Sequence, residues 1–202
     1  MGLIVGVGLS AACGFRVFVP FLGMSIASMA GHLDLSSGFE WIGTWPALIA
    51  FATATVLEIG AYYIPWLDNL LDTAAVPMAT VAGVMVTASQ IGDMSPFMRW
   101  SLAAIVGGGV SLTVQGGTVV ARATSSATTG GFGNFVFSTL ELIAAAVFTV
   151  MAVVVPILCV IAALVMCYAM IRVIRRAPWF RQRALPAVAC PGAPVESPAG
   201  TE

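Results

Sequence analysis

The chain has 202 residues, of which 59% are hydrophobic and 8% are charged, and its net charge is −1. Because soluble domains carry about 25% charged residues, this composition excludes a water-soluble globule and predicts a protein embedded in a lipid bilayer. The basic residues are eight arginines and no lysine, which are too few to form a nucleic-acid-binding face.

The first half of the chain contains three apolar runs. A bilayer crossing needs about 20 apolar residues, and the first run, residues 2–30, has this length before the polar stretch GHLDLSSGFE. The second run, residues 46–64, begins with a proline, which favours a first helical turn, and it stops at Pro65. The third run, residues 77–91, follows the polar connector PWLDNLLDT and is short for a full crossing.

The second half contains longer apolar runs. Residues 97–121 form the fourth run, and the Ser/Thr/Gly-rich segment RATSSATTGGFG separates it from the next. Residues 135–174 are almost continuously apolar, and at about 1.5 Å per residue they would make a helix twice as long as one crossing requires. We expect a division near Pro156, which gives six crossings within a transmembrane domain of residues 1–176. The remaining residues, 177–202, are rich in Pro, Ala and Gly, which predicts a disordered tail.

Arginine placement predicts the orientation of the bundle. Five arginines lie at or after the end of the last apolar run: Arg172, Arg175, Arg176, Arg181 and Arg183. Segments rich in basic residues remain in the cytoplasm, so we expect a cytoplasmic C-terminus and, with six crossings, a cytoplasmic N-terminus. Residues 32–44 would then lie outside the cell, and residues 122–133 inside.

A pattern recurs in the two halves of the chain. TVLEI contains Glu58 and STLEL contains Glu141, and each glutamate is followed by a Val-Pro pair that opens an apolar stretch. We interpret this as a duplication, with repeats at about residues 2–91 and 97–176. Three crossings per repeat insert the second copy in the opposite orientation. The predicted fold is therefore an all-α membrane protein of about six transmembrane helices, arranged as two inverted three-helix repeats.

Four ionisable residues within these runs are the main candidates for a functional site: Glu58, Glu141, Arg16 and Arg122. A charged acid in mid-bilayer costs about 3 kcal/mol, so it is usually paired, protonated or turned toward a polar cavity. Arg16 lies in the first run and Arg122 at the end of the fourth, and we expect an ion pair between Arg16 and Glu58.

The glutamates also have a structural interpretation. Thr55 with Glu58, and Ser138 with Glu141, show the Ser/Thr-x-x-Glu spacing of a capping box at a helix N-terminus. A Gly-rich loop just upstream favours this for Glu141. For Glu58 it would require a helix break inside the second run.

Secondary site candidates are four further polar residues: Asp68, Asp72, Asn134 and Ser138. The two aspartates could attract a cation or form a solvated face at the membrane surface, and Asn134 could cap a helix. Tyr62 and Tyr63 are typical of an interfacial aromatic belt, and the glycines at 107–109 of close helix packing. The cysteines lack the paired spacing of a metal site, so we expect neither a metal nor a cofactor.

Three stretches resemble the bacterial membrane-protein family known as domain of unknown function 4126: GLSAACGFRVFVP, EIGAYYIPWLDNLLDT and RATSSATTGGFGNFVFSTLE. The resemblance covers about residues 5–170. Four residues match the family pattern Glu, then Ala-Asp-Lys-x-Pro-x-x-Asp: Glu58, Ala61, Pro65 and Asp68. Four others match the pattern Arg, then Asn-Pro-x-x-Ser-x-x-Glu-Asp: Arg122, Asn134, Ser138 and Glu141.

The chain departs from these patterns at ionisable positions. Tyr62 and Tyr63 stand in place of the Asp-Lys pair, and Phe135 and Leu142 in place of a proline and an aspartate. The chain thus resembles a divergent member of the family. The resemblance implies a multi-pass protein of the cell inner (plasma) membrane and no particular activity.

We expect a small transporter or channel for an ion or metabolite, as a homo-oligomer in the lipid bilayer, with the four main candidates lining a site near the midplane. The alternative is a structural or assembly protein of the membrane, in which the same residues lock helices together. A hydrated cavity that reaches the glutamates would favour transport, and a dry, fully paired contact the alternative. We do not expect an enzyme, because the sequence offers no nucleophile with a nearby base.

Overall fold

The computed structural model describes residues 1–92, 94–129 and 132–176, without the side chains of residues 65–70, 72, 128, 129, 132, 134 and 176. The predicted tail, residues 177–202, lies outside this description. All regular elements in the described ranges are helical: α1 (Gly2–Cys13), α2 (Phe18–Met29), a 3-10 turn (Glu40–Gly43), α3 (Trp45–Tyr62), α4 (Pro65–Gln90), α5 (Pro96–Leu102), a π-helical segment (Ala103–Gly108), α6 (Gly109–Thr129), α7 (Phe132–Val154) and α8 (Pro156–Arg176).

Four described helices are long and apolar enough to cross a membrane: Trp45–Tyr62, Pro96–Ala127, Phe135–Val154 and Pro156–Arg175. The second of these combines α5, the π-helical segment and α6. α4 also has the length of a crossing, although its first turns contain the polar connector. The fold is therefore all-helical and suited to a membrane, as predicted, but the count of six crossings is not confirmed.

The first apolar run is not a single crossing, because it breaks between α1 and α2. α1 runs antiparallel to α4, with Gly2 in contact with the carbonyl oxygen of Gln90. Deeper in the bundle, Ser10 Oγ donates a hydrogen bond to the carbonyl oxygen of Gly83 at 3.0 Å. α1 therefore enters the bundle from the Gln90 end of α4.

α2 returns to that same end. The chain that follows α2 reaches the last turn of α4, where the Ser36 N–H donates to the Ser89 carbonyl oxygen at 2.8 Å. α1 and α2 have 12 residues each, or about 18 Å, against a hydrocarbon layer of about 30 Å. The two helices thus form a re-entrant hairpin. The six-crossing hypothesis places the N-terminus and residues 32–44 on opposite sides of the membrane. In the structure, both lie at the same end of the bundle.

Pro20 and Gly14 explain why the hairpin forms. Pro20 is the third residue of α2, and proline is tolerated in a first turn but disrupts a helix interior. One continuous helix through this position is therefore disfavoured. A Cβ atom on Gly14 would lie 2.5 Å from Cβ of Val114, so only glycine allows the hairpin tip to pack this closely against α6.

Other helix boundaries differ in part from the prediction. The expected connector is the beginning of α4, which continues through Pro77 to Gln90. Residues 122–129 of the segment expected to follow the fourth run form the end of α6. α7 begins at Phe132, so Asn134 lies inside its first turn and not at the N-cap. The expected division at Pro156 is confirmed, because α7 ends at Val154 and α8 begins at Pro156.

Small residues allow the helices to cross closely, as predicted for Gly107. A Cβ atom on Gly83 of α4 would lie 2.6 Å from the carbonyl oxygen of Gly107 in the π-helical segment. Hydroxyl groups surround this crossing: Ser10 Oγ lies 2.7 Å from Thr87 Oγ1. Such contacts are typical of helix packing in membranes, where small residues let backbones approach and polar groups bond across helices.

Candidate functional site

Glu58 on α3 caps the N-terminus of α2. Its Oε1 atom accepts a hydrogen bond from the Val17 N–H at 2.8 Å, and its Oε2 atom accepts one from the Phe18 N–H at 3.1 Å. The first N–H groups of a helix have no partner within the helix, and its N-terminus attracts negative charge. The carboxylate therefore satisfies the donors that the hairpin break would otherwise leave unbonded inside the membrane.

Neither glutamate forms a capping box at the N-terminus of its own helix, so this interpretation is wrong for both. Glu58 lies in the interior of α3 and Glu141 in the interior of α7, so neither begins its own helix. Glu58 is nevertheless a cap, for a helix 40 residues earlier in the chain. Capping between distant segments leaves no short-range spacing from which it could be predicted.

Arg16 at the hairpin tip binds α7. Its Nη2 atom donates to the carbonyl oxygen of Ser138 at 2.9 Å and to Ser138 Oγ at 2.5 Å. The same atom lies 3.8 Å from Oε2 of Glu141. Among the described residues, the carboxylate within ion-pair distance of Arg16 is Glu141, so the predicted pair with Glu58 is wrong.

Arg122 on α6 approaches the same carboxylate. Its Nη1 atom lies 3.5 Å from Oε2 of Glu141, so Arg16 and Arg122 share this oxygen. The Arg16 side chain is 1% exposed, as is that of Arg122. Such burial strengthens electrostatic attraction and makes loss of one partner costly. We call Arg16, Arg122, Glu141, Ser138 and Tyr62 the arginine cluster.

Tyr62 belongs to this cluster and was not predicted as a site residue. The Arg16 Cζ atom lies 3.8 Å from the centroid of its ring, and the Arg122 Cζ atom lies 4.7 Å from it. Both distances suit cation–π attraction. Tyr62 is buried, whereas its neighbour Tyr63 is exposed. The ring centroid of Tyr63 lies 4.9 Å from that of Phe135, with the two rings tilted by 57°. The sequence contained one signal for the position of Tyr62. It lies one helical turn after Glu58, and so on the same face of α3.

A cleft of about 380 Å³ lies between the start of α2 and helices α3 and α4. Glu58 and Tyr62 are the polar residues among those that line it, and the other side chains are apolar. Leu57 and Met78 at its margin are exposed, so the cleft opens on the lateral surface of the bundle. Tyr62 lines the cleft and its ring contacts both arginines, so it lies between the cleft and these two side chains.

The model of the family domain of unknown function 4126 matches residues 3–176. The chain belongs to this family. No curated protein matches the chain, and no solved structure does. The matched range includes the hairpin, the cleft and the whole arginine cluster, so these features lie within the family domain.

Family membership confirms the resemblance expected from the sequence. In this member of the domain of unknown function 4126, Tyr62 stands where the expected pattern has an aspartate, and its ring lies against Arg16 and Arg122. An aspartate side chain would compete with Glu141 for these cations.

The structure brings together only part of the predicted site. Ser138 joins Arg16, Arg122 and Glu141, whereas Glu58 lies at the hairpin tip and cleft. Asp68 and Asp72 fall in the first turns of α4 and Asn134 in the first turn of α7, but their side chains lie outside the described residues. No group of three His, Cys, Asp or Glu residues in the described ranges could hold a metal ion.

Proposed function

We propose that this member of the family transports a small solute across the inner membrane, with its C-terminus in the cytoplasm. The observation that carries the proposal is the cleft that reaches Glu58 at the tip of the re-entrant hairpin. An intramembrane carboxylate that faces a cavity is one mark of a substrate or ion pathway. Here both carboxylate oxygens are paired with backbone N–H groups, and the other side chains that line the cleft are apolar.

The depth of the hairpin tip supports this proposal. Val17 at the tip and Ala75 on α4 line the same cleft, and Ala75 lies near the middle of the 26-residue helix α4. Interrupted helices at this depth are tolerated where the irregular backbone is buried in protein or lines a cavity. In many transporters, the ends of such half-helices bind the substrate near the midplane.

The directions of the last two helices in each half support an inverted repeat of two helices. α3 ends where α7 begins, since Tyr63 Oη lies 3.2 Å from Thr139 Oγ1, and the two helices run in opposite directions. α8 starts near Gly8, whose Cβ position lies close to Cys159, and ends near Gly117, which meets Met170. It therefore runs opposite to α4. In this proposal, α3–α4 and α7–α8 are equivalent pairs that open the two membrane faces in turn.

A second candidate is a structural or assembly protein of the membrane. The arginine cluster favours it, because Glu141 contacts two buried arginines and thereby joins α6 and α7 to the hairpin tip. In this role the cluster would hold one rigid packing of the bundle and nothing would cross. A homo-oligomer is compatible with both candidates.

Flux into liposomes that contain the purified protein tests transport, with a panel of ions and small metabolites. We expect Glu58→Gln and Glu141→Gln to lower flux at least tenfold while the protein stays folded. Glu40→Gln is the control, because Glu40 is exposed and accepts one backbone N–H from Gly38.

A second pair of variants tests the cleft itself. Ala74→Phe should obstruct its opening, since Ala74 lines the cleft and is exposed. Ala169→Phe adds the same ring to an exposed position of α8 and should leave flux unchanged. If a substrate is found and its flux survives Ala74→Phe and both glutamate substitutions, the cleft is not the pathway and the structural candidate takes precedence.

A further inference from the structure

The guanidinium of Arg16 is buried but only partly hydrogen-bonded. The residue is 2% exposed, and Nη2 makes the hydrogen bonds to Ser138. Nε and Nη1 have no hydrogen-bond partner in the described part of the protein. A guanidinium has five N–H donors, so three of them lack an acceptor. Buried charged donors without an acceptor are unfavourable, and few remain so in native proteins.

Arg16 shares its ion-pair partner with a second arginine. Arg122 lies against the same carboxylate oxygen of Glu141, and the N-terminus of α2, with its partial positive charge, begins two residues after Arg16. The other nearby carboxylate, Glu58, accepts both of its hydrogen bonds from the backbone at that N-terminus. Glu141 and Glu58 therefore balance the two arginines in charge, but neither carboxylate accepts a hydrogen bond from Nε or Nη1 of Arg16.

We infer that Arg16 is the centre of a binding site for a small anion, reached from the cleft past the ring of Tyr62. Guanidinium donors bind carboxylates and other oxyanions in charge-assisted hydrogen bonds, and a halide can accept the same N–H groups. Tyr62 lines the cleft, and its ring centroid lies 3.8 Å from the Arg16 Cζ atom, so this residue lies between the cleft and the guanidinium.

The inference deepens the proposed function, because it names the class of solute that the pathway would carry. It rests on that function only for the passage of the anion. Binding at Arg16 requires no flux, and so the two are measured separately.

Binding is tested by thermal unfolding of the full chain in lipid nanodiscs, with increasing sodium chloride, nitrate or acetate. For the wild type we expect a saturable rise in unfolding temperature of about 5 °C at concentrations about 100-fold above the dissociation constant. A response to chloride or nitrate indicates an inorganic anion, and a stronger response to acetate indicates the carboxylate of an organic acid. Arg16→Lys keeps the charge but removes the fork of donors, and it should abolish the saturable response.

Arg172→Lys is the matched control, because Arg172 is exposed and its Cζ atom lies 5.4 Å from the ring centroid of Tyr168. It should respond to anions as the wild type does. A response that never saturates, or one equal in Arg16→Lys, is a general salt effect and overturns the site. If Arg16→Lys does not fold, the test rests on the unfolding temperature of the wild type. Lack of a saturable rise with added anion is then sufficient to reject binding.

Flux separates the failure of this inference from that of the proposed function. Saturable binding without anion flux in liposomes supports the site and rejects transport of the anion. Flux of some other solute, together with no saturable anion response, supports transport and rejects the site.

Discussion

The Oε1 atom of Glu58 accepts the backbone N–H of Val17 at 2.8 Å, across 41 residues of sequence. This contact joins α3 to the tip of the hairpin and gives the acid a structural role in addition to its place in the cleft. An intramembrane carboxylate can thus be explained by the broken helix beside it. The contact is also the most direct target for substitution.

Glu58→Gln should lower the free energy of unfolding by about 1–2 kcal/mol, and Glu58→Ala by more. Glutamine keeps one acceptor oxygen for the α2 N-terminus but loses the charge that the helix dipole favours. Alanine leaves the N–H groups of Val17 and Phe18 without an acceptor. Reversible unfolding in mixed detergent measures the difference. Glu40→Gln, at an exposed position of the 3-10 turn, should cost less than about 0.5 kcal/mol. An equal loss in Glu58→Gln and Glu40→Gln would contradict the capping role.

Arg16→Gln and Glu141→Gln should be coupled in a double-mutant cycle. Each single change leaves a buried charge with fewer partners, whereas the double variant removes both charges. We expect an interaction energy of about 1–3 kcal/mol, so that the double variant is more stable than the sum of the single losses implies. Thermal or denaturant unfolding of the four proteins provides the cycle, with Glu58→Gln in place of Glu141→Gln as the comparison. Equal coupling to both glutamates would contradict the observed choice of partner.

The hairpin makes a prediction about topology. A tag at the N-terminus and cysteines at Ser37 and Met94 should react with a membrane-impermeant reagent from the same side, since these positions lie at the Gln90 end of α4. Cysteine at Arg175 should react from the other side, because α8 ends at the opposite end of the bundle. Labelling of intact and permeabilised cells, with the native cysteines replaced, measures this. An N-terminus on the side opposite Ser37 would show that the first run crosses the membrane once.

Glycine substitutions test the crossing of α4 with the π-helical segment. Gly83→Ala should destabilise the protein by about 2 kcal/mol or more, because the added Cβ would lie 2.6 Å from the carbonyl oxygen of Gly107. Gly109→Ala is the control two residues beyond Gly107, since nothing lies within 4 Å of its Cβ position. That change should be neutral or slightly stabilising, because alanine favours helix by about 1 kcal/mol over glycine. Similar unfolding temperatures for the two variants would argue against close packing at Gly83.

Composition and local pattern were sufficient for several features. Long apolar runs require helices in a membrane, since each backbone polar group must bond within its own segment. The division at Pro156 follows from the missing N–H of proline and its ring clash. Arg16, Arg122, Glu58 and Glu141 were recognisable because charge inside an apolar run requires a partner or a cavity.

Other features depend on contacts between distant segments. Nothing in the spacing of Arg16 distinguishes Glu58 from Glu141 as its partner, because ion pairing depends on which helix faces the hairpin tip. Pro20 signals the break in the first run, but the return of α2 to the same end of the bundle requires Glu58 as a cap and Gly14 against Val114. Tyr62 has the sequence features of an interfacial aromatic residue, and burial against two arginines gives it another role. Local physical chemistry therefore specifies the helices and their charged residues, whereas the choice of partners follows from long-range packing that no short segment encodes.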